Sequence, residues 1–362
     1  MRLDQLDIKD FRNYKEAEVR PASSGVTVFG GDNGAGKTNV LEAVGFVATL
    51  RSFRGALTQA MVRDGTPQAV LRAQFDREAR SLLVEVELNV AGRDKLRLNR
   101  QAVRRNDDLT SVLAVTVFSP DDIDVIKGGP ATRRDYLDEL LCAVHPRHGA
   151  TLAELERVLR QRNALLRNAG GTLRPGVGAT LDVWDAKLVE LGEVIALSRH
   201  SLAAELEPLV GAAYLALCAK PERAAVAMRY ERSWGGDLAE ALATARYEDV
   251  RRATTTVGPQ RDDLYLGLNG LAARAQASQG EQRSLALALR LGGHRLVETK
   301  QGSAPVLLLD DIFSELDPRR CEALATGLPD AQALLTTAGP VPAGLEVGAR
   351  YQVVAGELAA VL

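Results

Sequence analysis

Gly31-Asp32-Asn33-Gly34-Ala35-Gly36-Lys37-Thr38 is the stretch on which the reading of this 362-residue chain turns. It fits the phosphate-loop pattern G-x-x-x-x-G-K-[ST]. Its surroundings give the match weight. Val26-Thr27-Val28-Phe29 alternates like a half-buried strand before it, and Val40-Leu41-Glu42-Ala43-Val44 continues with helical character after it. Strand, loop and helix therefore arrive in the required order. Glycines at 31, 34 and 36 open backbone conformations closed to other residues, so successive N–H groups can turn inward around phosphate oxygens. The following helix adds its positive end. Lys37 would reach the β- and γ-phosphates of ATP as a point charge, and the Thr38 hydroxyl would take one coordination position on Mg²⁺.

Far downstream, the apolar run Val306-Leu307-Leu308-Leu309 ends in the pair Asp310-Asp311. Four apolar residues in a row suit a parallel strand buried on both faces, and ligands of such sheets sit beyond the carboxyl ends of the strands. Asp310 falls at that edge. It would bind Mg²⁺ directly or through water, while Asp311 would orient or deprotonate an attacking water. Standing alone, two aspartates after a strand also describe an ordinary turn; the phosphate loop is what favours the metal reading.

Ser278-Gln279-Gly280-Glu281-Gln282-Arg283 resembles the signature motif of ABC-type ATPases, whose transporter form is Leu-Ser-Gly-Gly-Gln. Ser278 stands where an N-cap belongs and Glu281 three residues later completes a capping box, so the segment is also explained by a capped helix that needs no ligand. The succession of this motif, a helical stretch with Leu285, Leu289 and Leu296, and then the acidic strand is the ABC order. That resemblance implies that Ser278, Gln279, Gly280 and Glu281 face the γ-phosphate held by the opposite subunit, with ATP joining two copies.

Further blocks are spread from end to end: Phe11-Arg12-Asn13-Tyr14, Asn39-Val40-Leu41-Glu42-Ala43, Arg51-Ser52-Phe53-Arg54, Phe118-Ser119-Pro120-Asp121-Asp122, Gly258-Pro259-Gln260-Arg261-Asp262-Asp263-Leu264 and Leu309-Asp310-Asp311-Ile312-Phe313-Ser314-Glu315-Leu316-Asp317. Together they resemble the RecF family of bacterial recombination and repair ATPases, relatives of the SMC proteins. The resemblance implies an ATP-dependent homodimer that grips double-stranded DNA or single/double-strand junctions. It also implies mediator partners of the RecO and RecR type, and slow DNA-stimulated hydrolysis that releases DNA. The chain departs from the family at Gln260, where His is usual, and carries threonines at Thr336-Thr337 where many ABC ATPases place a histidine. No switch histidine is assigned.

Composition is that of an ordinary globular chain, with 46% hydrophobic and 25% charged residues. The opening residues lack the apolar core of a secretion signal and no run is apolar enough to span a bilayer, so a cytoplasmic protein with no membrane partner is expected. Cys142, Cys218 and Cys321 are few and far apart, which suggests neither a disulfide framework nor a zinc site. His145 and His148 read as surface residues.

The expected fold is α/β: an ABC-type ATPase head of mixed β-sheets with a phosphate loop, built from residues 1–118 plus 254–362. Residues 119–253 would form an inserted helical lever or arm domain. Leu152, Leu155 and Leu159, then Leu181, Trp184, Leu188, Leu191 and Ile195, follow helical spacing. Asn168-Ala169-Gly170-Gly171 and Arg174-Pro175-Gly176-Val177-Gly178 supply turn chemistry between two facing helices, giving an arm of about 18 residues or roughly 27 Å. In the head, Val84 to Val90 and Leu96 with Leu98 read as a hairpin, and Leu264, Leu266 and Leu268 alternate ahead of an Asn269-Gly270 turn.

A net charge of −2, from 45 basic and 47 acidic residues, leaves no whole-molecule footprint for nucleic acid. Any DNA surface is local, with Arg104, Arg105, Arg133 and Arg134 as candidates beside Arg157, Arg160, Arg167, Arg251 and Arg252; a solvated helical face explains the same arginines. Two other functions share the nucleotide chemistry: the nucleotide-binding subunit of an ABC transporter, and an ATP-binding scaffold with negligible turnover. The arm and the absence of Leu-Ser-Gly-Gly-Gln argue against the first. Asp311, one methylene shorter than the Glu of many relatives, keeps the second open.

Overall fold

A computed structural model describes residues 1–77, 80–103, 113–172, 175–218, 224–314 and 316–361. Of the residues singled out above, Arg104, Arg105, Arg174 and Glu315 lie outside them. Strands β1 (Arg2–Phe11), β2 (Tyr14–Val19), β3 (Val26–Gly30), β4 (Gln68–Arg77), β5 (Arg80–Asn89), β6 (Lys95–Leu98), β7 (Gln101–Ala102) and β8 (Val115–Phe118) occupy the first third of the chain. In the remainder come β9 (Val226–Glu231), β10 (Asp263–Leu268), β11 (Leu271–Ala272), β12 (Val306–Asp310), β13 (Ala333–Thr337), β14 (Val347–Val354) and β15 (Glu357–Val361). They form an antiparallel sheet in the order β2-β1-β4-β5-β6-β7, a mixed sheet in the order β15-β14-β3-β13-β12-β8, and the small sheet β11-β10-β9.

In the mixed sheet β14, β3, β13, β12 and β8 run parallel, so the carboxyl ends of the two motif strands share one edge. Every residue of β12 is buried, as its unbroken apolar run requires. Val26-Thr27-Val28-Phe29, expected to be half-buried, is buried on both faces as well, because Val26 and Val28 pack into the core on the helical side and Phe29 into the core beneath the antiparallel sheet. Thr27 is accommodated there by accepting the Ala22 N–H at 2.9 Å. Side chains alternate between two cores. Val306 and Leu308 join Val40, Leu41 and Val44 of helix α1 (Lys37–Thr49) beneath the antiparallel sheet, while Leu307 and Leu309 join the helical side. The expected hairpins are present, with Val84 opposite Leu98, Val86 opposite Leu96, and Leu268 opposite Leu271 across Asn269-Gly270.

The longer helices that follow are α2 (Pro130–Val144), α3 (Arg147–Asn168), α4 (Pro175–Leu217), α5 (Leu238–Arg252), α6 (Gln279–Gln301) and α7 (Pro318–Gly327). Four sequence expectations change here. Pro175-Gly176-Val177-Gly178 is the first turn of α4 rather than part of the hairpin turn; proline lacks the N–H that this position leaves unused, and its fixed φ suits the helix. The turn itself uses Gly170 and Gly171, both at positive φ. Secondly, α4 runs for 43 residues, about 64 Å at 1.5 Å per residue, well past an 18-residue arm. Its carboxyl half lies along α6, where Gly292 leaves room for Val210: a Cβ at Gly292 would stand 2.7 Å from Val210 Cγ2. Thirdly, the span expected to be helical contains β9, which pairs antiparallel with β10. His148 also differs from its expected surface placement: it is buried, with Nε2 3.2 Å from Asp138 Oδ1. Among the described residues no helix is long and apolar enough to cross a membrane.

Candidate nucleotide-binding site

Thr38 and Asp310, 272 residues apart, meet at the shared edge of the mixed sheet, where the Thr38 hydroxyl donates to Asp310 Oδ1 at 2.7 Å. Between β3 and β12 lies β13, whose Thr336 stands in register with Asp310. The Thr336 hydroxyl donates to Asp310 Oδ1 at 2.8 Å and accepts the Asp311 N–H at 3.0 Å, so one side chain fixes both acidic residues. Burial pushes the Asp310 carboxyl above its ordinary range, against the opposing pull of the Thr38 and Thr336 hydrogen bonds. Asp311 turns out of the strand in the left-handed region at φ 48°, a conformation that Asp tolerates better than most residues.

Lys37 is buried, and its Nζ donates to the carbonyls of Gly31 at 2.7 Å and Asp32 at 2.8 Å, which closes the loop around the ammonium. Asp32, Asn33 and Gly34 form the exposed rim. Gly36, at φ 115°, must be glycine because a Cβ there would stand 2.5 Å from Asn13 Nδ2. That crowding has a purpose. Asn13 Nδ2 donates to the Ala35 carbonyl at 2.9 Å and the Tyr14 hydroxyl donates to the Gly36 carbonyl at 2.9 Å. In a trans peptide the N–H points opposite to its C=O, so pinning these two carbonyls aims the Gly36 and Lys37 N–H groups the other way, as an anion cradle. The α1 N-terminus begins at this point.

The turn that carries Asn13 is itself anchored. Arg12 makes a bidentate pair with Glu42 on α1, Nε to Oε2 at 2.8 Å and Nη2 to Oε1 at 2.6 Å, and the Ser52 hydroxyl donates to Oε1 at 2.6 Å. Glu42 is completely buried, so these donors replace its water. Sequence reading placed Arg12, Asn13, Tyr14 and Glu42 only inside family blocks and gave Thr336 no function. Their pairing across the fold is what reveals them.

The Ser278 end of the signature segment is capped from within. Ser278 caps α6: its hydroxyl accepts the Glu281 N–H at 3.3 Å and donates to Glu281 Oε2 at 2.7 Å, and its N–H donates to the same oxygen at 2.8 Å. The capping box is therefore formed, and the hydrogen bonds of Ser278 stay within its segment. Thus Lys37, Thr38, Asp310 and Asp311 come together in one chain, while Ser278, Gln279, Gly280 and Glu281 line a separate helix start. Of the candidate DNA residues, Arg133 and Arg134 are engaged within the chain. Arg133 is buried and forms a bidentate pair with Asp263, Nε to Oδ1 at 2.7 Å and Nη2 to Oδ2 at 2.9 Å, so its guanidinium holds α2 to β10 rather than facing solvent. Arg134 donates to the Asp262 carbonyl at 2.7 Å. Arg157 and Arg160 pair with Glu154 and Glu156, and Arg251 and Arg252 share Glu248, as solvated helical faces do.

Residues 2–337 match the RecF/RecN/SMC N terminal domain. A DNA replication and repair protein RecF of Streptomyces avermitilis is 42% identical over 98% of this chain and 99% of its own length. The RecF of Frankia alni is 42% identical over 99% of both. A solved structure described as the recombination mediator protein RecF with ATP, in the RecFOR pathway, is 26% identical and superposes with a TM-score of 0.91 over 99% of this chain and 97% of that one. An Smc head domain from Pyrococcus furiosus, 16% identical with a TM-score of 0.58 over 99% of this chain and 95% of that one, shares the fold. The architecture is that of an ABC-type ATPase head.

Proposed function

This chain belongs to the RecF family of DNA replication and repair proteins, and we propose that it is an ATP-dependent DNA clamp whose two nucleotide sites are each completed by a second copy. The observation that carries the proposal is the Thr38–Asp310 hydrogen bond, which sets a phosphate loop against an acidic strand while the signature segment of the same chain caps a different helix. The β- and γ-phosphates would lie on the Gly31–Thr38 loop, with Lys37 supplying charge and the Gly36 and Lys37 N–H groups supplying hydrogen bonds. A hydroxyl beside a carboxylate is a hard-oxygen pair that fits Mg²⁺, and the ion held by Thr38 and Asp310 would neutralise phosphate charge. Asp311, held by Thr336, would orient the attacking water. Ser278 and the amides near Gly280 would close on the γ-phosphate of the partner copy.

In this reading residues 1–118 and 254–362 make the ATPase head, and residues 119–253 are its inserted helical lever. The closed homodimer holds double-stranded DNA or a single/double-strand junction in the cytoplasm and presents a surface to mediators of the RecO and RecR type. Slow hydrolysis then releases the DNA. Family membership supports these assignments, and the ion-paired arginines above direct the search for DNA contacts away from Arg133. Steady-state ATP turnover with and without duplex DNA tests the proposal: a slow rate that rises with DNA and disappears in Lys37→Ala is expected. A background rate under both conditions would favour the ATP-binding scaffold.

A further inference from the structure

Gly280 occupies the second position of α6 with an ordinary helical backbone, so no positive φ calls for glycine there. Alanine would favour the helix. With no side chain there, the guanidinium of Arg320 of α7 lies directly against the first turn of α6: a Cβ at position 280 would stand 3.0 Å from Arg320 Nη1, 3.2 Å from Nη2 and 3.4 Å from Cζ. The guanidinium is steered there by Asp317, the N-cap of α7, which takes the Arg320 N–H at 3.0 Å and Nη1 at 2.6 Å. Nε is buried with no hydrogen-bond partner among the described residues. A cation laid against a helix N-terminus opposes the helix dipole, so helix stability alone does not account for this placement. Asp317 lies only a few residues beyond Asp310-Asp311, on the segment that joins β12 to α7.

We infer that Arg320 is a positioning residue: with Asp317 it clamps the first turn of α6 in the attitude that meets the nucleotide of a second copy, and it links that turn to the acidic strand of its own chain. This rests on the composite-site reading above and names a residue that completes it. The clamp acts through the signature segment, so its loss should damage the partner's nucleotide site and spare the chain's own.

Complementation separates these two. Arg320→Ala alone should bind ATP as a monomer like the wild type and lose about tenfold or more in turnover. Lys37→Ala alone should lose turnover through its own phosphate loop. Mixed in equal amounts, half of the dimers pair one variant with the other, and each such dimer holds one site with an intact phosphate loop facing an intact clamp. Turnover of about a quarter of the wild-type rate should return. An ATP-binding Arg320→Ala protein that stays inactive in the mixture, or one as active alone as the wild type, overturns the inference. If Arg320→Ala fails to fold, Asp317→Asn, which frees the same guanidinium, is mixed with Lys37→Ala under the same expectations. A wild-type protein that neither dimerises nor turns over ATP would instead remove the composite-site reading itself.

Discussion

Thr336 spends a single hydroxyl on both members of the acidic pair, and Glu42 gathers Arg12 and Ser52 behind the phosphate loop. Thr336→Val keeps the shape and removes the hydroxyl, leaving the Asp311 N–H and one Asp310 lone pair unsatisfied. The expected cost is about 1–3 kcal/mol of stability by urea denaturation, with turnover reduced, whereas Thr336→Ser should restore both. Glu42→Ala strands the Arg12 guanidinium and should cost about 3 kcal/mol in the same assay. A loss within about 0.5 kcal/mol, typical of surface changes, would show that neither group supports the site. Lys37, Thr38, Asp310 and Asp311 could be read from short local patterns because phosphate and metal chemistry constrains spacing. Asn13, Tyr14, Glu42 and Thr336 could not: their roles come from meeting partners across the fold, and a lone Thr or Asn in sequence carries no such signal.

Between residues and the whole lie the helices, which are tied together by buried charge. Arg162 of α3, fully buried, pairs with Asp185 of α4 at 2.6 Å and Asp249 of α5 at 2.7 Å, and its Nη1 also donates to Thr255 Oγ1 at 2.9 Å. Arg162→Met should leave Asp249 buried without this cation and cost about 3–5 kcal/mol, measured by urea unfolding. Exposed Arg167, five residues further along α3, should tolerate the same change within about 0.5 kcal/mol. Equal losses at both positions would contradict the network. Helical spacing exposed α3 and the first part of α4, and alternation exposed the hairpins. Missing from that reading were β9, separated from its partner β10 by helix α5, and the helical role of Pro175, whose neighbouring glycines read as a turn. His148 misled for a related reason, since its burial depends on Asp138 of the preceding helix.

The whole molecule should show a pH dependence from His294, buried on α6 with Nδ1 3.0 Å from Thr116 Oγ1 on β8. Burial is the main cause, and Arg295 a lesser one, of a pKa lowered from 6.5 to about 4. As pH falls through 6.5 the unfolded chain takes up a proton that the folded chain refuses until about 4, so this contribution is intact above that window and lost across it. Relative to His294→Asn, the wild type should lose about 2 kcal/mol more between about pH 8 and pH 5 in urea titrations. Parallel pH profiles would contradict this.

In the proposed dimer two chains share each nucleotide. Its most direct test is the solution mass of Asp311→Asn by light scattering in Mg-ATP, with and without duplex DNA, because slowed hydrolysis should hold the closed state. A shift to twice the 38.9 kDa chain mass that requires ATP and is strengthened by DNA is predicted. A monomer under every condition would contradict the composite site.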